Sequence, residues 1–297
     1  MKRKRLSYEK KKSWIGFAFI LPWMIGFVFL FARPMLNSLI YTFCKVQIQP
    51  SRLDKIFVGF ENYKYVFTED PVFIRLLVES IGKILYQVPL IIVFSLFIAV
   101  ILNQEFKGRF LVRAVFFLPV IIASGVIINI LKGDSLSANI LSGERVSYLF
   151  QVTAFENMLL KAGLNEELVV LFTNLTNQIF ELSWKSGIQI LIFLAGLQTI
   201  PGTLYEASSM EGATPWETFW KVTFPMISPM IILNVIYSII DNFNDYSNQV
   251  IRLINQHAKN LNMAYSATLS WLYFLIIFAI IGLVYAIVNK HVFYSVE

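Results

Sequence analysis

Long apolar stretches with few charged residues alternate with polar segments along most of this chain. Several of these stretches are close to the roughly 20 apolar residues that a helix needs to cross a bilayer. They lie at about 14–43, 80–103, 112–132, 182–200, 222–243 and 264–288. The pattern predicts an all-α polytopic membrane protein with six transmembrane helices.

Basic residues at two places predict how these helices are oriented. Residues 2–12 contain seven Lys and Arg residues, and Lys107, Arg109 and Arg113 follow the second span. Lys and Arg are enriched in cytoplasmic loops, which places both segments inside the cell. A basic start before an apolar run is also typical of a signal peptide, but this run has bilayer length and lacks a small-residue cleavage site. We therefore predict an uncleaved first helix behind a basic terminus (residues 1–13), and both termini in the cytoplasm.

Two longer polar segments are predicted to lie outside. Residues 45–77 mix charged with aromatic residues, which indicates a structured loop that includes an interfacial helix. The second segment, 132–181, has apolar residues at helical spacing in its second half, such as Leu168, Leu171 and Leu175. This spacing predicts an amphipathic helix on the membrane surface.

One polar segment, residues 201–221, separates the fourth and fifth spans and is termed the hook. Thr203 followed by Glu206 has the spacing of a capping box, and so has Thr214 followed by Glu217. The hook is therefore predicted to contain two short helices.

A glycine and a proline separate the two predicted helices of the hook. Gly212 tolerates the left-handed conformation that ends a helix, and Pro215 suits the first position of the next one. Trp216, Phe219 and Trp220 follow on the second helix. Aromatic residues on a polar segment favour a buried contact with a partner, although an aromatic belt at the membrane surface is an equal alternative.

Composition supports the membrane class and excludes several activities. Hydrophobic residues make up 57% of the 297 residues and charged residues 15%, whereas soluble domains carry about 25% charge. The net charge of +6 comes largely from the basic terminus, so no nucleic-acid partner is predicted. Cys44 is the only cysteine, and His257 and His291 lack other metal ligands nearby. No phosphate-binding loop is present. We predict no catalytic residue, metal site or bound cofactor.

Polar side chains recur along the predicted fifth span. Asn234, Ser238, Asp241 and Asp245 follow one another at spacings of four, three and four, which places them on one helical face, with Tyr237 beside them. Polar groups inside a membrane helix face protein or water, and ionisable ones mark a pathway by default. Hydrogen bonds to neighbouring helices are the alternative explanation.

Several motifs together resemble the binding-protein-dependent ABC importer permeases of the carbohydrate-uptake, maltose-type family. Glu206, Ala207 and Gly212, with Pro225 further on, are similar to the EAA loop, the cytoplasmic coupling segment that seats in a groove of the ATPase subunit. The lead-in at 194–201 also matches, as do Gly59, Phe60, Asn62, Tyr63 and the run 116–119. Ser208 stands where the family usually has a second alanine, and Glu211 where aspartate is common.

The resemblance implies specific roles and partners. The residues that would couple to the ATPase are Glu206, Ala207, Ser208, Met210, Glu211, Gly212, Ala213, Trp216 and Phe219. The residues that would line the substrate pathway are Asn234, Tyr237, Ser238 and Asp241. The implied partners are a second permease, related or identical, two cytoplasmic ATPase subunits that use ATP and Mg, an extracytoplasmic solute-binding protein, membrane lipid and a carbohydrate, expected to be an oligosaccharide. The implied location is the bacterial plasma membrane.

Three alternatives remain open at the level of sequence. Glu206 could close the capping box on Thr203 instead of, or in addition to, contacting an ATPase. The substrate could be a solute other than a sugar, because the EAA loop is shared across importer classes. The chain could also be a self-sufficient secondary transporter, a channel or a scaffold, although it shows no internal repeat and no charges buried in several spans.

Overall fold

A computed structural model describes residues 8–48, 53–123, 158–161, 163, 165–245 and 248–291. The described chain is mostly helical and divides into two compact units. One unit comprises the described residues up to Arg75 and from Leu253 to Leu275, and the other comprises the described residues from Leu76 to Arg252 and from Ile276 onward.

The first apolar stretch forms one long helical rod. It consists of α1 (Tyr8–Gly26), a π-turn (Phe27–Ala32) and α2 (Arg33–Thr42). Pro34 lacks the N–H that would bond the carbonyl four residues earlier, and the helix widens into the π-turn just before it. The most apolar 18 residues between Trp14 and Thr42 are not buried against the rest of the described chain. Such a surface suits lipid or another membrane subunit.

A β-hairpin follows the rod and corrects the all-α prediction. Strand β1 (Cys44–Ile48) pairs antiparallel with β2 (Leu53–Phe57), with Cys44 opposite Phe57. Asn62 donates from Nδ2 to the carbonyl of Thr42 at 2.8 Å, and Tyr63 donates from Oη to Thr42 Oγ1 at 2.9 Å. Apolar and polar residues alternate over only a short length in β1 and β2, and charged residues surround them. The two strands could therefore not be recognised from the sequence.

Helix α3 (Glu61–Thr68) leads into α4 (Pro71–Asn103). Asp70 caps α4 by accepting from the backbone N–H groups of Val72 and Phe73 at 2.9 and 3.1 Å, and it also accepts from the hydroxyl of Tyr265. The 33 residues of α4 extend over about 50 Å, well beyond a bilayer core of about 30 Å. The helix begins nine residues before the predicted second span.

The next helices are α5 (Arg109–Ala123), α6 (Glu166–Lys185) and α7 (Gly187–Gln198). Helix α6 contains the predicted amphipathic stretch, and it meets α7 at a bend of 55° at Ser186. A Ser-Gly pair is a common cause of a sharp kink. The predicted fourth span, 182–200, therefore is not one straight helix but the end of α6 followed by α7.

The hook contains α8 (Gly202–Met210) and α9 (Pro215–Thr218), followed by a π-turn (Phe219–Thr223) and α10 (Phe224–Asn244). Helix α10 packs on α7 so closely that a Cβ added to Gly196 would lie 2.6 Å from Met230 Cγ. Helices α11 (Gln249–Lys259) and α12 (Met263–Val288) and a 3₁₀ turn (Asn289–His291) complete the described chain.

Four described helical stretches are long and apolar enough to cross a membrane, and the bent pair α6–α7 makes up to five. The four are Trp14–Thr42, Pro71–Asn103, Pro215–Asn244 and Met263–Val288. The predicted third span, 112–132, starts within α5 and continues beyond the described residues, so a count of six stays a prediction. The chain is a multi-pass membrane protein.

Candidate functional site

The first helix of the hook begins without the predicted capping box. Pro201 is the N-cap of α8, in an extended conformation (φ −60°, ψ 134°), and no side chain caps the helix. Thr203 lies one residue inside the helix, so it cannot bond the amide three residues onward as a cap would. Glu206 is exposed and has no hydrogen-bond or ion-pair partner among the described residues. Its carboxylate is therefore available to a partner.

The turn between the two hook helices forms as predicted around Gly212. This residue has φ +76°, which favours glycine. Its N–H donates to the carbonyl of Ser209 at 3.1 Å, and the N–H of Ala213 donates to that of Ser208 at 3.0 Å. These two bonds are those of a Schellman motif. They set the direction in which the chain leaves α8.

The second helix of the hook has the predicted capping box. Thr214 Oγ1 accepts from the N–H of Glu217 at 3.3 Å, and the N–H of Thr214 donates to Glu217 Oε2 at 2.9 Å. Pro215 occupies the start of α9. Lys221 lies 3.8 Å from the Glu217 carboxylate on the next turn.

Two hydroxyl pairs brace the hook against itself and against the following span. Ser208 Oγ and Thr218 Oγ1 are 3.2 Å apart and join α8 to α9. Tyr205 Oη and Thr223 Oγ1 are also 3.2 Å apart and join α8 to the end of the π-turn. Helix α9, the π-turn and α10 follow one another directly, so no loop separates the second helix of the hook from the fifth span.

The hook presents a large apolar surface. Met210 is 89% exposed and Trp216 is 69% exposed, although both are hydrophobic. Trp220 stacks edge-on against Trp216 and Phe219, with ring centroids 5.6 and 5.1 Å apart. Ala207 and Glu211 are exposed beside this surface, whereas Ser208, Ala213 and Phe219 are partly covered. Exposed apolar patches of this kind mark interaction sites.

The predicted polar stripe on α10 divides into two faces. Asn234 and Ser238 are fully buried, whereas Tyr237 is half-buried and Asp241 is exposed. Ser238 Oγ accepts from Gln189 Nε2 of α7 at 2.9 Å. The contact that Ser238 makes is therefore a hydrogen bond between two helices, which was the alternative explanation for the polar stripe. Gln189 was not among the predicted residues, since nothing in the sequence pairs α7 with α10.

Asn234 differs from Ser238 because its amide lacks partners. Neither Nδ2 nor Oδ1 has a hydrogen-bond partner in the described part of the chain. An unpaired buried amide costs about 1–3 kcal/mol. Asn234 is therefore a place where a group from outside the described chain would be stabilising.

A lysine that was not among the predicted site residues joins two carboxylates at the far end of α10. Lys185 Nζ lies 2.9 Å from Asp245 Oδ2 and 3.1 Å from Glu181 Oε1, and its side chain is only 14% exposed. Gln87 of α4 approaches Glu181 to 3.4 Å. The pairing was invisible in the sequence because Lys185 and Asp245 are 60 positions apart.

Comparison with known proteins finds similarity over nearly the full chain. The "probable ABC transporter permease protein YesP" of Bacillus subtilis (strain 168) is 30% identical over 302 aligned positions, covering 95% of this chain and 91% of YesP. The "arabinooligosaccharides transport system permease protein AraP" of the same organism is 26% identical, covering 87% of this chain and 77% of AraP. No protein-family model matches the sequence.

The fold is also known from solved structures. One chain of a crystal structure of a bacterial alginate ABC transporter, in complex with an alginate pentasaccharide-bound periplasmic protein, superposes with a TM-score of 0.67. The alignment covers 99% of this chain and all of that one, at 18% identity. The helix arrangement described above is therefore shared with a chain of an ABC transporter.

Proposed function

This chain belongs to the ABC transporter permease family, and on that premise we propose that it is the membrane subunit of an ATP-driven importer that translocates an oligosaccharide. An extracytoplasmic binding protein delivers the sugar, and two cytoplasmic ATPase subunits supply the energy. A second permease, identical or related, completes the pathway. The 30% identity to YesP over 95% of this chain carries the permease assignment on which this proposal rests.

The substrate class rests on AraP, whose similarity covers most of both chains and whose name specifies arabinooligosaccharides. The side chains of α10 suit such a ligand. Asp241 and Tyr237 lie on its more open face and offer hydroxyl and carboxylate groups that exchange hydrogen bonds with sugar hydroxyls. An exposed carboxylate within a membrane helix needs protein or water against it. We place the pathway and the second permease on this face.

Coupling depends on the rigidity of the hook. The Schellman turn, the capping box and the two hydroxyl pairs leave little freedom between the exposed Trp216 and the start of α10. Closure of the ATPase subunits would then move α10 instead of bending a loop. The free Glu206 carboxylate would meet a basic residue of the ATPase. We propose that the hook and both termini lie in the cytoplasm, as contact with the ATPase and a count of six spans would require.

The test is reconstitution of the complete importer in proteoliposomes with its binding protein, followed by uptake assays with ATP inside. We expect uptake of the sugar that co-purifies with the binding protein, identified by mass spectrometry, and no uptake with catalytically inactive ATPase subunits. Uptake without nucleotide would support a secondary transporter. A co-purifying solute that is not a carbohydrate would overturn the substrate class. Unchanged uptake after this chain is removed would support a scaffold.

A further inference from the structure

A cavity of about 170 Å³ lies beside the Lys185 ion pairs. Its wall is formed by the first half of α4, the end of α6, the end of α10 and the start of α11. A single water needs about 10–15 Å³, so the cavity holds on the order of ten waters, or one sugar ring in their place. It is separate from the Asn234 region, which lies about two turns further along α10.

The cavity lies at the opposite end of α10 from the hook. Phe224 begins α10, and Asn242 and Asp245 at its other end line the cavity. About twenty helical residues extend over about 30 Å, the thickness of a bilayer core. With the hook in the cytoplasm, the cavity therefore opens at the outer membrane surface, where a delivered solute arrives first.

The cavity wall carries charges of both signs. Lys83 and Lys185 provide ammonium groups, and Glu79 and Asp245 provide carboxylates. Two ammonium groups and two carboxylates leave these four residues without net charge, so neither a cationic nor an anionic ligand gains a net attraction from them. A neutral molecule that both donates and accepts hydrogen bonds satisfies the wall without leaving either charge unbalanced. Sugar hydroxyls have this property.

Lys83 is the residue of this wall with most freedom to act on a ligand. Lys185 is held between two carboxylates, and Asn248 donates to Ser80 at 3.1 Å. Lys83 has no hydrogen-bond or ion-pair partner among residues 8–48, 53–123, 165–245 and 248–291, although it borders a polar cavity. Its three N–H donors can therefore bind a ligand without breaking an existing contact.

We propose that this cavity is the entry subsite of the importer, where one neutral sugar unit binds Lys83 and Glu79 before the chain passes along α10. This proposal rests on the proposed function and adds the location of a binding subsite and the charge of the substrate. It separates this chain from a transporter of acidic polysaccharides, because Glu79 and Asp245 balance Lys83 and Lys185 and the nearby Glu181 adds a further negative charge, so a uronate would gain no net attraction.

The experiment uses the complete reconstituted importer and three probes: arabinotriose, maltotriose and trigalacturonate. We expect uptake of at least one neutral trisaccharide by the unaltered importer. Lys83→Met should lower its kcat/KM about tenfold or more, because a hydrogen bond from a charged donor is lost. Lys83→Arg should retain most of the activity. Lys64→Met is the matched control, since Lys64 is also exposed but does not line the cavity.

A direct measurement of occupancy accompanies the uptake assay. Cys44 is the only cysteine and is buried, so a Cys44→Ala background allows Lys83→Cys to be labelled alone. The imported trisaccharide, delivered by the binding protein, should slow thiol labelling at position 83 severalfold.

The outcomes separate this proposal from the function on which it rests. Import of a neutral trisaccharide with unchanged kcat/KM in Lys83→Met and unchanged labelling would overturn the subsite and leave the importer function standing. Import of trigalacturonate alone would overturn the neutral substrate class. Import of none of the three would contradict the oligosaccharide function itself, and the subsite with it.

Discussion

Ser208 and Thr218 join the two helices of the hook through hydroxyl oxygens 3.2 Å apart. Ser208 Oγ also donates to the carbonyl of Tyr205 at 2.9 Å, so the side chain is held in place from both directions. Ser208 stands at the position where the EAA loop usually has its second alanine. The hydroxyl therefore adds a brace that alanine could not provide.

Removal of this brace should weaken coupling. We expect Ser208→Ala to lower the free energy of unfolding of the purified subunit by about 0.5–1.5 kcal/mol, the net contribution of one hydrogen bond. The ratio of ATP hydrolysed to sugar imported should rise, because part of the ATPase movement is lost in the hook. Ser209→Ala is the control, since Ser209 is exposed and its hydroxyl bonds only the carbonyl of Tyr205. An equal effect of both variants would contradict the brace.

The two predicted capping boxes should respond differently to mutation. Thr214→Ala removes a cap and should lower the free energy of unfolding by about 1 kcal/mol. Thr203→Ala should leave it within about 0.5 kcal/mol of the unaltered protein, because Pro201 is the N-cap of α8. Thermal unfolding in detergent measures both. A loss at Thr203 as large as that at Thr214 would show that α8 is capped by its side chain after all.

Charge reversal at Glu206 should abolish transport without unfolding the protein. Its carboxylate is exposed and makes no contact within the described chain, so Glu206→Lys should leave the unfolding transition unchanged. Uptake should fall below a tenth of that of the unaltered protein, because at least one charge-assisted hydrogen bond is lost. Glu167→Lys, in an exposed position at the start of α6, is the control. Normal uptake by Glu206→Lys would remove the docking role.

Asn234 should be dispensable for folding and important for transport. Its buried amide makes no hydrogen bond in the described chain, so Asn234→Leu should not lower, and could raise, the free energy of unfolding by about 1 kcal/mol. Sugar uptake should nevertheless fall, because the missing partner is then a group of the second permease or of the substrate. Gln189→Leu is the comparison, as it breaks an existing bond to Ser238 and should destabilise the subunit. Unchanged uptake and assembly in Asn234→Leu would exclude a pathway role.

The sequence allowed the features that depend on neighbouring residues to be predicted, and missed those that depend on distant ones. The capping box at Thr214, the positive φ at Gly212 and four of the predicted apolar spans follow from local chemistry, and the structure contains them. The cap at Thr203 was wrong because the N-cap of α8 is Pro201, two residues before Thr203.

Long-range contacts could not be read from the sequence. The pairs Lys185–Asp245 and Gln189–Ser238 join helices far apart in the chain, and no periodicity connects them. The polar stripe on α10 was predicted as a single face, yet its residues divide between a buried contact and an open side. Whether a polar residue of α10 is buried or open depends on where α7 packs against that helix. The lack of a side chain at Gly196 lets the two helices approach closely there.

The central claim is that the hook faces the cytoplasm and carries force from an ATPase. A photo-crosslinking amino acid at position 216, where Trp216 is 69% exposed, tests it in membranes that contain the whole importer. We predict a crosslink to the ATPase subunit that changes in yield when ATP hydrolysis is blocked. A crosslink to the extracytoplasmic binding protein, or labelling of position 216 by an impermeant reagent in intact cells, would contradict the account.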